Sequence, residues 1–241
     1  MLIRLNKLFS QAGIASRRQA EKFIKLGKVK VNDKVVKDLG RKVDFEKDKI
    51  EFQGKPVLIQ GKAHFIVNKP KGYLCTTRDR FNRPKVTDLV KDKKTRFYPV
   101  GRLDLDTEGL LIMTNDGDLA YKLTHPRHHI PKVYQAGLNR PLCQRDRKRL
   151  EKGVKLQEGK TLPAKILNLG GNKIEITIYE GKKRQIKRML ALFNYKVKEL
   201  KRIAIGPLKL GNLASGGSRK LKPGEIAVLL KTGIIEREKV T

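Results

Sequence analysis

The chain has 241 residues, with 56 Lys and Arg against 24 Asp and Glu, a formal net charge of +32. Charge of this size repels itself in a compact state, which points to a polyanionic partner, nucleic acid before anything else. No apolar run reaches the ~20 residues of a spanning helix and no signal peptide opens the chain, so a membrane partner is not expected and a cytoplasmic setting is. The two cysteines, Cys75 and Cys143, have no C-x-x-C spacing, which excludes a cysteine-framed zinc site and a disulfide framework.

Residues 1–60 read as a small module of two helices and a hairpin. Arg4 to Ala12 carries leucines and Phe9 at helical spacing, ended by Gly13. Ser16 and Gln19 form a capping box for a second helix that turns Ala20, Phe23, Ile24 and Leu26 toward a core and stops at Gly27. Lys28 to Asn32 alternates as a strand and turns through Asn32-Asp33. Arg17 and Arg18 fall in the first turn of the second helix, where free amides already favour an anion, and Lys22 extends that surface. A turn-rich joint near Gly61 opens a second domain, 61–241.

His64 to Asn68 reads as a strand, followed by a basic turn, Lys69-Pro70-Lys71-Gly72. The loop from Thr76 to Pro84 interleaves Arg78, Arg80 and Arg83 with Phe81, a pattern suited to stacking on unpaired bases with phosphate contacts. Gly101-Arg102-Leu103-Asp104-Leu105-Asp106-Thr107-Glu108-Gly109 then sets three carboxylates in a turn between two apolar runs. An acidic turn in so basic a chain points to chemistry rather than docking. A short helix ends before Pro126, and His125, His128 and His129 lie around that proline with no acidic ligand near, a poor metal set.

Further along, a strand is centred on Tyr134, and a basic helix spans Gln144 to Lys152. A hairpin turns at Gly170-Gly171-Asn172, and a helix runs from Lys182 to Phe193. Strands near 196–203 and 226–230 complete an α+β domain with a mainly antiparallel sheet.

Two resemblances follow from these motifs. Leu5-Asn6-Lys7-Leu8, Ala12 to Glu21 and Ile24 to Asn32 resemble the S4 RNA-binding domain, two helices against a small sheet. Asn68-Lys69-Pro70-Lys71-Gly72, Gly101 to Leu111, Lys132-Val133-Tyr134 and Glu180 to Met189 resemble the RsuA/RluB group of bacterial ribosomal RNA pseudouridine synthases. That resemblance implies uridine-to-pseudouridine isomerisation without cofactor or metal, by a monomer acting on ribosomal RNA, free or in a pre-ribosomal particle. It implies Asp104 as the catalytic aspartate, Tyr134 as the aromatic packing on the target base, and Lys187 as the cation pairing with Asp104, with Arg188 the alternative. Arg102, Arg184 and Arg188 would join Lys69, Lys71 and the loop arginines as RNA contacts.

The chemistry breaks the C1′–N1 bond and joins C1′ to C5 of the rotated base. A carboxylate could attack C1′ or take the C2′ proton, and either route needs an ionised Asp, which a neighbouring cation would favour. A target inside folded RNA must be flipped out, with stacking on an aromatic offsetting the loss. The second function class is a non-catalytic S4-type RNA-binding or ribosome-assembly protein. A paired-carboxylate hydrolase is disfavoured by the absence of Trp for a sugar platform. Large-subunit RNA is favoured over small-subunit RNA as substrate.

Overall fold

The computed structural model describes residues 2–232. They form two compact units. One comprises the chain up to Ala63 with Asp92–Phe97 and Asn115–Gly117; the other comprises His64–Lys91, Tyr98–Thr114 and the chain from Asp118 onward.

In the first unit, strand β1 (Leu2–Arg4) runs directly into helix α1 (Leu5–Gln11), and α2 (Arg17–Lys25) follows. The Ser16 hydroxyl accepts from the Gln19 amide at 3.2 Å, filling a donor that the first helical turn leaves without a partner. Five short strands come next: β2 (Val29–Val31), β3 (Lys34–Val35), β4 (Lys42–Asp44), β5 (Ile50–Phe52) and β6 (Lys55–Pro56). Their sheet order is β3-β2-β5-β6, while β4 pairs with β1. Leu5, Leu8, Phe9, Ala20, Ile24, Val29 and Val31 pack into one core. Leu26 does not join it: as the C-cap of α2 it lies past the last inward turn and is exposed.

The second unit contains β7 (His64–Lys69), β8 (Tyr98–Val100), β9 (Glu108–Thr114), α3 (Gly117–Thr124), β10 (Lys132–Leu138) and α4 (Gln144–Glu151). A short ribbon, β11 (Lys155–Leu156) and β12 (Gly159–Lys160), precedes the hairpin β13 (Lys165–Asn168) and β14 (Lys173–Ile178). Then come α5 (Gln185–Ala191), β15 (Val197–Ile205), β16 (Leu208–Lys209), β17 (Ser218–Lys220) and α6 (Pro223–Lys231). The main sheet has the order β13-β14-β10-β15-β9-β7-β17, with β8 beside β9 and β16 beside β15. Its pairings are antiparallel except β9 with β15, where Glu108 and Gly109 face Lys201 and Arg202 in parallel register.

Two apolar clusters cover this sheet. Ile174, Ile176 and Ile178 of β14 pack with Ile186, Met189 and Leu190 of α5, and Ile66, Leu110 and Ile112 pack with Leu119, Leu123 and Leu229. The period-two pattern of β14 thus buries its isoleucines on one face.

Two expected elements differ. The stretch 226–230 is helical, because Pro223 supplies a first-turn residue and the Glu225 carboxylate accepts from the Lys222 amide at 2.8 Å. Its Leu229 is buried while Val228 and Leu230 stay exposed, the one-sided burial of a surface helix. Helix α5 starts at Gln185 rather than Lys182, since Arg184 has φ 50° and cannot continue a right-handed helix backwards.

Candidate active site

The acidic turn is held from below by a buried lysine. Lys69 is 0% exposed, and its ammonium donates to the carbonyls of Pro70 at 3.0 Å, Asp104 at 3.1 Å, Leu105 at 3.4 Å and Thr107 at 2.7 Å. Burial pushes its pKa below the ordinary lysine value, opposed by Cys75 and the carboxylates of the turn. The Gly72 amide adds a bond to the Leu105 carbonyl at 2.8 Å, and the Thr107 amide closes the turn on the Asp104 carbonyl at 3.1 Å. Lys69, expected from sequence to contact RNA, is instead fully buried with its ammonium on backbone carbonyls. It is a buried clamp on the backbone that carries Asp104.

Asp104 opens onto a cleft of about 770 Å³ lined also by Arg102, Lys132, Tyr134, Lys183, Arg184 and Arg202. Among the described residues its carboxylate accepts no hydrogen bond and forms no ion pair. The expected pairing with Lys187 is not present. Lys187 bonds Asp106 instead, at 2.6 Å, with Arg184 3.8 Å from the same carboxylate. Those cations hold the Asp106 carboxyl below its ordinary value, Lys187 first. Lys187 is on the first turn of α5, which starts at Gln185, three residues after the expected Lys182.

The loop from Glu180 to Gln185 forms one side of the cleft and is ordered by its own side chains. Buried Gln185 donates to Glu180 at 2.8 Å and accepts from the Lys182 amide at 3.0 Å, and Glu180 also accepts from the Leu162 amide at 3.0 Å. Strands β10 and β15 also line the cleft. Tyr134, 7% exposed, packs in the apolar cluster below the sheet and also lines the cleft. Arg202 of β15 donates to its hydroxyl at 3.4 Å and to the Leu110 carbonyl at 2.7 Å. Lys132, two residues before Tyr134, is depressed to about 8 by burial first and by Arg202 second.

Arg202 and Lys132 carry no role in the sequence reading. Strand phase is the signal in the sequence: Arg202 shares its phase with Leu200 and Ala204, which are buried. An arginine at an inward position on a strand is costly unless something uses it.

The remaining basic residues divide by their partners. Arg17, Arg18, Lys22, Lys71, Arg78, Arg80 and Arg102 are exposed. Arg83 is held by Asp79 through two bonds, 2.7 and 3.2 Å, and that arginine draws Asp79 down to about 2. Arg188 is locked on Glu158 at 2.7 and 2.8 Å rather than directed at the acidic turn. Phe81 stands 64% exposed between Arg80 and Arg83, whose guanidinium carbons lie 5.0 and 5.2 Å from its ring centre. His125 packs on Tyr121 with ring centres 4.7 Å apart, and among the described residues no group of three or more His, Cys, Asp or Glu is placed to hold a metal. No helix among them is long and apolar enough to cross a membrane.

The family model for RNA pseudouridylate synthase matches residues 63–192, and the S4 domain model matches 3–50. The chain belongs to the RNA pseudouridine synthase family. The synthase is 49% identical to an uncharacterized RNA pseudouridine synthase of Aquifex aeolicus over 96% of this chain and 95% of that one. It is 44% identical to the ribosomal large subunit pseudouridine synthase B of Bacillus subtilis over 92% and 93% of the two chains. A solved pseudouridylate synthase structure matches 94% of this synthase and 99% of its own chain, with a TM-score of 0.70 and 33% identity. The synthase fits the RsuA/RluB group, an N-terminal S4 domain followed by a sheet-rich synthase domain.

Proposed function

We propose that this synthase isomerises a uridine of ribosomal RNA, with large-subunit RNA as the substrate, acting in the cytoplasm as a monomer on free RNA or a pre-ribosomal particle. The Bacillus subtilis relative and the S4 domain support that substrate class. One observation carries the chemical reading: Asp104 presents an unpaired carboxylate to a cleft that Tyr134 also lines.

The roles follow from position. Lys69 fixes the turn so that Asp104 meets the ribose of an extruded uridine at a set place. Tyr134 packs on the flipped base and offsets part of the unstacking cost of a few kcal/mol. Asp104 acts as the nucleophile at C1′ or as the base at C2′. Lys187 and Arg184, drawn together by Asp106, keep a positive field beside the turn that favours the ionised carboxylate. Arg17, Arg18, Lys22, Lys71, Arg78, Arg80 and Arg102 contact phosphates.

Asp104→Asn in the purified protein, assayed for pseudouridine on deproteinised ribosomal RNA, is expected to abolish product while RNA affinity stays near that of the wild type. Retained activity would remove Asp104 from the chemistry. Mapping pseudouridines in a strain lacking the gene identifies the substrate. Loss of a large-subunit position is expected, and loss of a small-subunit position would reassign it.

A further inference from the structure

At the Tyr134 end of the cleft, two cationic side chains converge with no counterion. Arg202 is 2% exposed. Its Nε and Nη1 are used by Leu110 and Tyr134, and its Nη2 is buried with no acceptor. Lys132 lines the same cleft, and its ammonium donates to the Ile130 carbonyl at 3.0 Å. Among the described residues no carboxylate lies within ion-pair distance of either. A buried guanidinium with an unfilled donor is costly, and the cost is recovered when an acceptor arrives with the substrate.

We infer that Arg202, assisted by Lys132, binds the uracil ring of the extruded uridine and stabilises the negative charge that ring carries once it is detached from the ribose. This rests on the reading of Asp104 and Tyr134 given above. A phosphate is the other anion available, but the phosphates of a flipped nucleotide stay with the strand, and the base is what enters the pocket. Exposed Arg102, Lys183 and Arg184 are the cleft cations accessible to the strand. The Arg202 guanidinium carbon is 5.9 Å from the Tyr134 ring centre, so the ring proposed to pack on the base and the cation proposed to meet its charge are neighbours.

The charge arises on either chemical route. When the C1′–N1 bond breaks, its electron pair leaves with N1. If Asp104 attacks, a carboxylate oxygen bonds to C1′; if it acts as base, it takes the C2′ proton and a C1′–C2′ double bond forms. Both leave uracil as a monoanion with charge shared between N1 and the carbonyl oxygens. The rotated ring then bonds to C1′ through C5, Asp104 is released or returns its proton to C2′, C5 loses its proton and N1 gains one. Donors fixed where that charge develops act more strongly than water would, because they need no reorientation.

The test varies how much help the leaving base needs. Matched RNA stem-loops carry uridine or 5-fluorouridine at the target, and the rate of C1′–N1 cleavage is measured in a single turnover. Fluorine stabilises the uracil anion by itself. For Arg202→Gln, cleavage of the uridine substrate is expected to slow by about 100-fold, the scale of losing one such donor. The fluorinated substrate should slow far less, and RNA affinity should be unchanged. Arg202→Lys, which keeps the charge and loses the fork, should fall between. Equal slowing on both substrates, or a loss confined to RNA binding, overturns the inference.

An arm without any variant covers the case in which neither folds. Uracil and 6-azauracil are compared as inhibitors of the wild-type protein at one pH where the second alone is an anion. Stronger inhibition by the anion is expected, and equal or weaker inhibition overturns the inference. A wild-type protein that forms no pseudouridine in ribosomal RNA would instead refute the functional reading on which this rests.

Discussion

Gly109 and Arg202 cross at the parallel seam of the sheet so closely that a Cβ on Gly109 would lie 2.2 Å from the Arg202 carbonyl oxygen and 2.6 Å from its amide nitrogen. Gly109 also has φ +111°, outside the range that side chains adopt readily. Gly109→Ala therefore combines backbone strain with a clash against main chain that cannot rotate away. A loss of roughly 3 kcal/mol or more is expected. In a chain of this size that lowers the melting temperature by about 6 °C or more, measurable by calorimetry. An unchanged melting temperature would show that the seam can open.

Lys69→Met keeps an apolar stem but takes the ammonium donor from three carbonyls of the turn, Asp104, Leu105 and Thr107, and from that of Pro70. An unsatisfied buried polar group costs about 1–3 kcal/mol. Displacement of Asp104 by as little as an ångström is on the scale that costs about 100-fold in rate. Pseudouridine formation should fall by that order with RNA affinity unaltered, which separates a clamp from an RNA contact. Weakened RNA binding at full single-turnover rate would restore the role first expected of Lys69.

Lys132 makes a pH prediction. Its folded value is about 8 against an ordinary 10.5, so the unfolded chain holds this proton more tightly. Below about 8 both states are protonated and the burial penalty is fully present; above 10.5 both are neutral and it is gone. Between those limits the contribution of this group to stability rises with pH. Lys132→Met should remove that rise, seen as a smaller difference in urea midpoint between neutral and alkaline pH than in the wild type.

Phe81 is exposed and ringed by arginines on a loop that Asp79 ties down through the amides of Phe81 and Arg83, both at 3.0 Å. A ring held ready in this way suits an unpaired base. Phe81→Ala should weaken RNA binding by about 1–3 kcal/mol, the range for one base–aromatic stack, with the melting temperature unchanged. Unaltered affinity in a filter-binding titration would leave this loop out of the RNA interface.

Asp106 is 54% exposed, so its pairing with Lys187 is partly screened by water and contributes less than about 1 kcal/mol. Its lowered pKa means that the contribution is present above an ordinary 3.8 and is lost as pH falls through the folded value. Asp106→Asn should leave melting temperature and turnover close to wild type at neutral pH. A collapse of turnover comparable to that of Asp104→Asn would move Asp106 into the chemistry.

Local rules in the sequence determined a large part of this protein. The Ser16 cap, the glycine stops, the alternation of β14 and the polar turn around Asp104 depend on neighbours within a few residues, so residue order alone made them readable. Other outcomes depended on contacts between distant segments. Whether Lys69 faced RNA or carbonyls was decided when β7 paired with β9 and brought residues 69 and 107 together. Which carboxylate Lys187 reached, Asp106 and not Asp104, depended on how α5 packs beside the acidic turn. The buried guanidinium of Arg202 became visible when β15 was placed between β10 and β9, with Tyr134 on one side and Gly109 on the other. Composition made the chain a binder of polyanions; only the pairing of strands from separate stretches brought Asp104, Lys132 and Arg202 to a single cleft, because burial and pairing are properties of packed neighbours.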